Sequence, residues 1–277
     1  MPELSVVIVN YNTRDFLRAC LKSLQEQPCP VEVIVVDNNS QDGSAEMVAA
    51  EFDEVRLLAQ SENTWFCGGN NIGIRAATCN YVLLLNPDTV IMDDALIQMT
   101  DFIRQNPDYA GVTAHMIYPD GETQQTCSRI PTYPYLLLRH SPLQWILPGR
   151  KKALDAQHWY SEWQRDSDKD VRVVPGSCTL MRRADILLDE ALWLYYPEDD
   201  LARRTGRPFR FLADAMIEHY ENSATTSWRA TEIYFRDMMI YTRKHHGRGR
   251  MGLLWLASRP ILWGMGLKRW LTSTEHS

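Results

Sequence analysis

The sequence predicts an α/β fold, a doubly wound and mostly parallel central sheet flanked by helices. Three observations carry this. Short β-branched and aliphatic runs recur without the apolar and polar alternation of a half-exposed strand, as in strands covered on both faces. Segments with apolar residues at helical spacing lie between them. Clusters of Asn, Asp and Ser close three of the runs, at the carboxyl ends where such sheets gather their ligands.

Leu4 to Val9 opens the series, and Arg14 to Gln25 follows as a helix because Phe16, Leu17, Cys20, Leu21 and Leu24 fall on one face. Val31 to Val36 completes a strand, helix, strand unit. The alternation continues with a helix from Ser44 to Phe52, a strand from Val55 to Leu58, a helix after Gly69 and the strand Tyr81 to Leu85. Asp93 to Arg104 is then a helix and Ala110 to Tyr118 a strand. Residues 122–170 are polar and aromatic, with Pro131, Pro134, Pro142 and Pro148, and predict a loop-rich stretch. Strands resume at Val171 to Val174 and Cys178 to Arg182. An acidic turn at Pro197 to Asp200 precedes two short strands, Phe209 to Leu212 and Ala215 to Glu218, and a helix from Thr226 to Lys244.

The 277 residues, 45% hydrophobic and 23% charged, exclude disorder, collagen and coiled coil. A net charge of −6 argues against a nucleic-acid partner, which needs an excess of Lys and Arg. The charge is unevenly spread. Residues 1–241 hold 22 basic and 34 acidic side chains, whereas residues 242–277 carry seven basic residues against Glu275 alone. The chain therefore divides into a body, 1–241, and a basic, Trp-bearing segment, 242–277. The six cysteines show no metal-binding or redox spacing and read as buried thiols. Met1-Pro2-Glu3-Leu4 lacks a basic region, so a secretory signal is not expected and the cytoplasm is.

The polar strand ends carry the chemistry. Asn10-Tyr11-Asn12, Asp37-Asn38-Asn39-Ser40 and Asn86-Pro87-Asp88-Thr89 follow three strands. Singly each is ordinary turn chemistry; together they converge on one crevice. No glycine-rich dinucleotide turn and no Gly-x-x-x-x-Gly-Lys loop is present, which disfavours dehydrogenases and P-loop enzymes. An Asp on a short turn with little other fixed charge suits a divalent cation that keeps waters and takes ligands from a diphosphate.

Ser5 to Asn12, Val35 to Ser44, Asn63 to Gly73 and Leu84 to Thr89 together resemble the ordered motifs of family 2 inverting glycosyltransferases, closest to the bacterial rhamnosyltransferase-like branch. Gly176-Ser177-Cys178, Glu198-Asp199-Asp200-Leu201 and His219 extend the resemblance to about residue 225. It implies a GT-A type fold with a Rossmann-like sheet, a nucleotide-binding half (1–120) and an acceptor-side half (121–241). It implies that Asn10, Tyr11, Asn12 and Asp37 hold base and ribose, and that Asn63, Asn70, Arg75 and Asn86 lie near ribose or diphosphate. Asp88, with His219, would contact Mg2+ or Mn2+. Glu198 and Asp199 are the expected catalytic bases, Asp199 foremost, since adjacent carboxylates raise one another's pKa. The family spaces this motif Glu-Asp, one residue, Asp, Leu, and here the spacer is missing.

The resemblance further implies a nucleotide-sugar donor, dTDP-L-rhamnose foremost with UDP- or GDP-linked sugars as alternatives. The implied acceptor is a polyprenyl-diphosphate-linked saccharide of cell-wall or surface polysaccharide synthesis. Met251 to Leu267 is apolar but interrupted by Arg259-Pro260, too short and broken to span a bilayer. With Trp255, Trp263 and Trp270 among Arg248, Arg250, Lys268 and Arg269, it reads as a basic amphipathic helical segment on the inner face of the cytoplasmic membrane. Packing on the body, or a homodimer contact, is the other reading. A glycosidase with paired carboxylates and a non-catalytic nucleotide-sugar-binding module are the competing functions.

Overall fold

The computed structural model describes residues 2–221 and 227–274. The first half alternates as the sequence predicts: β1 (Leu4–Asn10), α1 (Arg14–Gln25), β2 (Val31–Asp37), α2 (Ser44–Glu51), β3 (Arg56–Ala59), α3 (Trp65–Ala76) and β4 (Tyr81–Leu85). Then come β5 (Thr89–Ile91), α4 (Ala95–Gln105), β6 (Gly111–Ile117), α5 (Tyr133–Arg139), α6 (Leu143–Ile146) and α7 (Pro148–His158). The rest is β7 (Lys169–Val171), β8 (Cys178–Arg182), α8 (Pro197–Thr205), β9 (Phe209–His219), α9 (Trp228–His246) and α10 (Arg248–Thr274).

The strands form one sheet in the order β3-β2-β1-β4-β8-β6-β9-β5, with β7 also on β9. β1 to β4 pair in parallel, β6 and β9 run with them, and β5, β7 and β8 oppose, so the sheet is mostly parallel. The chain winds outward through β2 and β3, then returns to β4 on the other side of β1, and a crevice opens at that switch point. Alternate residues of each strand enter separate cores. Val7, Ile34, Val36 and Leu84 pack with α3, α5 and α9, while Val6, Ile8, Val35 and Leu83 pack with α1, α2 and α4. Burial on both faces explains the uninterrupted apolar runs.

Four expectations are corrected. Residues 122–170 are loop-rich only toward their ends, because α5, α6 and α7 occupy their middle. The prolines read as breakers sit at helix starts, Pro134 and Pro148 in the first turns and Pro142 at the cap of α6, where a missing N–H costs nothing. The two short strands after residue 208 are one strand, β9, whose bulge beside Ala114 and His115 fills the gap between them. The strand expected at Val171 to Val174 is instead β7, ending at Val171, and only an isolated bridge joins Val173 to Ser128. Arg259-Pro260 does not break the tail: α10 is continuous with Pro260 inside it. Thr226, the expected start of α9, lies outside the described residues.

α9 and α10 form an antiparallel hairpin about Gly247 (φ 91°), with Gly266 close against Trp228. The boundary expected at 241/242 falls inside α9. No helix among the described residues is long and apolar enough to cross a membrane. Cys29 is partly buried and the other cysteines are buried as free thiols.

Candidate active site

At the switch point the strand-end motifs separate into a wall and its support. Buried Asn10 donates from Nδ2 to Asp37 Oδ1 (2.8 Å) and Ser40 Oγ (3.0 Å), and Asp37 Oδ2 accepts the Ser40 N–H (2.9 Å). Asn12 (φ 54°) accepts the Gln41 N–H at 2.7 Å. This knot ties the ends of β1 and β2 together behind a cavity of about 400 Å3 lined by Tyr11, Asn63, Trp65, Asn86, Asp88 and Arg229. Gly69 and Gly73 let α3 lie against β1: a Cβ there would stand 2.7 and 2.3 Å from Val9 and Val7. Trp65 opens α3 in left-handed conformation (φ 62°), stacks on Trp193 at 5.2 Å and lies under the Arg229 guanidinium.

The short strand β5 brings the metal candidates together. It pairs Thr89 with His219, which sets Asp88 Oδ1 3.4 Å from His219 Nε2. Gln124 donates from Nε2 to the His219 carbonyl (2.7 Å), so its Oε1 faces Nδ1 (2.9 Å) and accepts that N–H. With Nδ1 so engaged, Nε2 is the nitrogen turned toward the Asp88 carboxylate oxygen and the one left to act as a ligand. Two groups so placed suit a shared cation, since neighbouring ligands about 2.1 Å from an octahedral ion lie about 3 Å apart, within a small side-chain adjustment of this separation. No group of three His, Cys, Asp or Glu that could hold a metal occurs among the described residues. The pair fits an ion whose remaining ligands come from diphosphate and water.

His219 also lines a second cavity, of about 520 Å3, which holds Glu198 and Asp199. Both carboxylates stand on the first turn of α8, after Tyr196 in left-handed conformation (φ 67°) and Pro197 at the first helical position. Glu198 lies directly over Gly176, where any Cβ would fall 2.1 Å from its Oε1. Burial pushes Glu198 up to about 7, against a hydrogen bond from the Gly176 backbone. Burial and then the Glu198 charge hold Asp199 well above the usual carboxylate range, with Arg203 opposing. Asp199 Oδ1 is buried with no hydrogen-bond partner in the protein. Asp200 differs: it is fully buried on the far side of α8, paired with Arg204 (2.8 Å), Lys244 (2.7 Å) and His245 (2.7 Å). The missing spacer is thus absorbed by turning Asp200 into the support.

The structure does not bring every expected residue to the crevice. Asn70 is buried and donates to the Phe66 carbonyl within α3. Arg75 ends α3, about 15 Å along the helix from Trp65, in an exposed ion pair with Glu190 (2.9 Å). It therefore sits toward the amino-terminal end of β1, away from the diphosphate position expected of it. Sequence reading missed Trp65, Gln124, Trp193, Arg229 and Asp237. Asp237 is fully buried, and its Oδ2 accepts the N–H groups of Trp193, Leu194 and Tyr195 at 2.9 to 3.0 Å, fixing the loop that delivers α8. Of these, Trp65 lay within the Asn63 to Gly73 motif and Arg229 stood as a cation at a predicted helix start.

Residues 5–186 match Glycosyl transferase family 2. Over 284 residues the chain is 25% identical to the N-acetylglucosaminyl-diphospho-decaprenol L-rhamnosyltransferase of Mycobacterium tuberculosis, covering 96% of this chain and 88% of that protein. It is 35% identical over 103 residues to the succinoglycan biosynthesis protein ExoO of Rhizobium meliloti, and 26% over 216 residues to the low-salt glycan biosynthesis hexosyltransferase Agl10 of Haloferax volcanii. These matches cover 36% and 75% of this chain, and 30% and 62% of those two relatives. Among solved structures, the mannosyltransferase PcManGT of Pyrobaculum calidifontis, in complex with GDP-Man and Mn2+, superposes with a TM-score of 0.58 at 15% identity, covering 93% of this chain and 69% of that one. GalNAc-T7 with UDP, GalNAc and Mn2+ gives 0.61 at 12% identity, covering 87% and 47%. The fold is the GT-A type, and with the family match spanning about two thirds of its length, the chain belongs to glycosyl transferase family 2.

Proposed function

We propose that this protein is an inverting glycosyltransferase that moves a sugar, foremost L-rhamnose from dTDP-L-rhamnose, to a hydroxyl of a polyprenyl-diphosphate-linked saccharide. The observation that carries the reading is the junction of two cavities at Asp88 and His219, with the unpaired Asp199 oxygen in the second. Nucleotide sugar would enter the first, its base against Tyr11 and its diphosphate toward Asp88, His219 and Arg229. Bound Mg2+ or Mn2+ would offset charge on the departing diphosphate. In the second, the acceptor hydroxyl would give its proton to Asp199 as its oxygen bonds the anomeric carbon, and the bond to the nucleoside diphosphate breaks on the opposite face. Attack opposite the leaving group inverts the centre.

Glu198 would keep Asp199 strongly basic by its adjacent charge, and it stands next as base. The name of the mycobacterial relative supports both the rhamnosyl donor and the lipid-diphosphate acceptor. The outer face of α10 would hold the enzyme at the inner, anionic face of the cytoplasmic membrane.

The test is direct. Asp199→Asn is expected to lower kcat by about 100-fold or more with nucleotide affinity unchanged, and Asp88→Ala to weaken nucleotide binding only when Mn2+ is present. Full turnover in Asp199→Asn and Glu198→Gln removes the base assignment. Donor binding without transfer to any acceptor makes the protein a binding module. Thermal shifts with UDP- or GDP-sugars but not with dTDP-rhamnose replace the donor.

A further inference from the structure

The α5 to α7 excursion carries an apolar tip that neither core uses. In α6 and the residue after it, Trp145 and Ile146 are 68% and 69% exposed, with Leu143 and Leu147 also exposed. Neither α6 nor α7 buries a single residue. A projecting Trp-Ile pair kept in water forfeits the contacts that hold the rest of the chain together, and such patches mark contact surfaces. The chemistry around it indicates what covers it. From Leu143 to Lys152 there is no acidic residue, and Arg150-Lys151-Lys152 begins four residues after Ile146. Lys151 pairs with Asp155, whereas Arg150 and Lys152 make no ion pair among the described residues. An indole and an aliphatic chain rimmed by unpaired cations match the headgroup layer of an anionic bilayer, where Trp settles and Lys and Arg meet lipid phosphates.

Position supports the same partner. Tyr135 and Arg139 of α5 and His158 of α7 wall the cavity that holds Asp199, so the tip is the outer end of the excursion whose inner side forms that wall. α5 also meets α10: Tyr133 Oη donates to the Arg250 carbonyl at 3.0 Å, and the Arg250 guanidinium lies over the Tyr133 ring. The helix that leads into the tip therefore adjoins the start of α10.

We propose that Trp145 and Ile146, with Arg150 and Lys152, form a second membrane contact, independent of the tail, that seats the mouth of the Asp199 cavity against anionic lipid. This rests on the reading above only for its purpose: a lipid-linked saccharide could enter the cavity while its polyprenyl chain stays in the bilayer.

The full chain is tested for co-sedimentation with phosphatidylglycerol-rich and with phosphatidylcholine vesicles, no donor or acceptor present. Trp145→Ser with Ile146→Ser is expected to lower partition into phosphatidylglycerol vesicles roughly tenfold. Arg150→Gln with Lys152→Gln should lower partition into phosphatidylglycerol vesicles alone. Both variants should keep the wild-type melting temperature, because the altered side chains are exposed. Unchanged partition in both overturns the proposal, as does a loss of dimer in the Ser variant with partition intact, which would make the tip an interface between copies. If the wild type fails to glycosylate a vesicle-borne acceptor while the Ser variant still loses vesicle binding, the enzymatic reading falls and the membrane contact stands.

Discussion

Glu198 holds its proton in the folded protein over a pH range in which the unfolded chain has released it. Its pKa is pushed from an ordinary 4.5 to about 7 by burial over Gly176. The native state then binds more protons than the unfolded state between these values, so this group makes stability fall as pH rises from about 4.5 to 7. Glu198→Gln removes the ionisable group and keeps the shape. We expect it to melt above the wild type at pH 8, by the equivalent of up to about 3 kcal/mol, and close to it at pH 4, as read by thermal denaturation across pH. Turnover moves in the opposite sense: a carboxylate base works only when ionised, and because Asp199 is held well above the usual carboxylate range, wild-type kcat should rise with pH beyond the range in which an ordinary carboxylate has already ionised. Stability is thus lowered at the residue that poises the chemistry. The resemblance, with the adjacency of three carboxylates, pointed to this cluster, but not to the division of labour within it. That Asp200 is structural depends on Lys244 and His245, 44 and 45 positions away, meeting it in space.

At the scale of elements, the site depends on two short connections. β5 is three residues long, too short to leave a periodic signal, yet its pairing with β9 is what places Asp88 beside His219. The Trp193 to Tyr195 loop is held from α9 by Asp237 and leads directly into α8. Its Trp193 carbonyl also accepts the N–H groups of Phe66 and Cys67 at the start of α3, so one loop ties the cavity lined by Trp65 and Asp88 to the carboxylate cavity. Asp237→Ala leaves three buried N–H groups without their acceptor and should destabilise the protein by about 3 kcal/mol or more, measured by urea denaturation. Asp237→Asn keeps one oxygen for the loop and should lose less stability, while kcat falls more than donor affinity because the first turn of α8 shifts. Equal stability of Asp237→Ala and wild type would remove this role. In the sequence Asp237 is one acid in the middle of a helix, and nothing local separates it from a solvated one.

Over the whole molecule, the charge division between body and tail takes physical form in the α9 and α10 hairpin. Leu254 and Ser258 are fully buried against the body, whereas Leu253, Leu256 and Trp263 project outward, so α10 both packs on the protein and offers an apolar outer face. Truncation after Lys244 would remove His245 from Asp200 and uncover α9, so substitution on the outer face is the cleaner test of the tail. Leu253→Ser, Leu256→Ser and Trp263→Ser combined should lower binding to anionic vesicles while changing stability by no more than about 0.5 kcal/mol per site. Unchanged binding removes the membrane role of the tail.

The sequence by itself determined the first half of the fold and its family, because continuous apolar strands, amphipathic helices and strand-end polar motifs are local patterns that physical chemistry reads within a few residues. The strand-end motif identified Asp88, and the resemblance implied His219, Glu198 and Asp199. Tertiary structure alone decided which of them meet, that Asn10 and Asp37 brace the cleft from behind, that Arg75 faces away from it, and that the residues around Trp145 form a helical projection. Those outcomes depend on pairings between segments tens of residues apart, where free energy is set by what packs across the gap and not by the order of residues on either side.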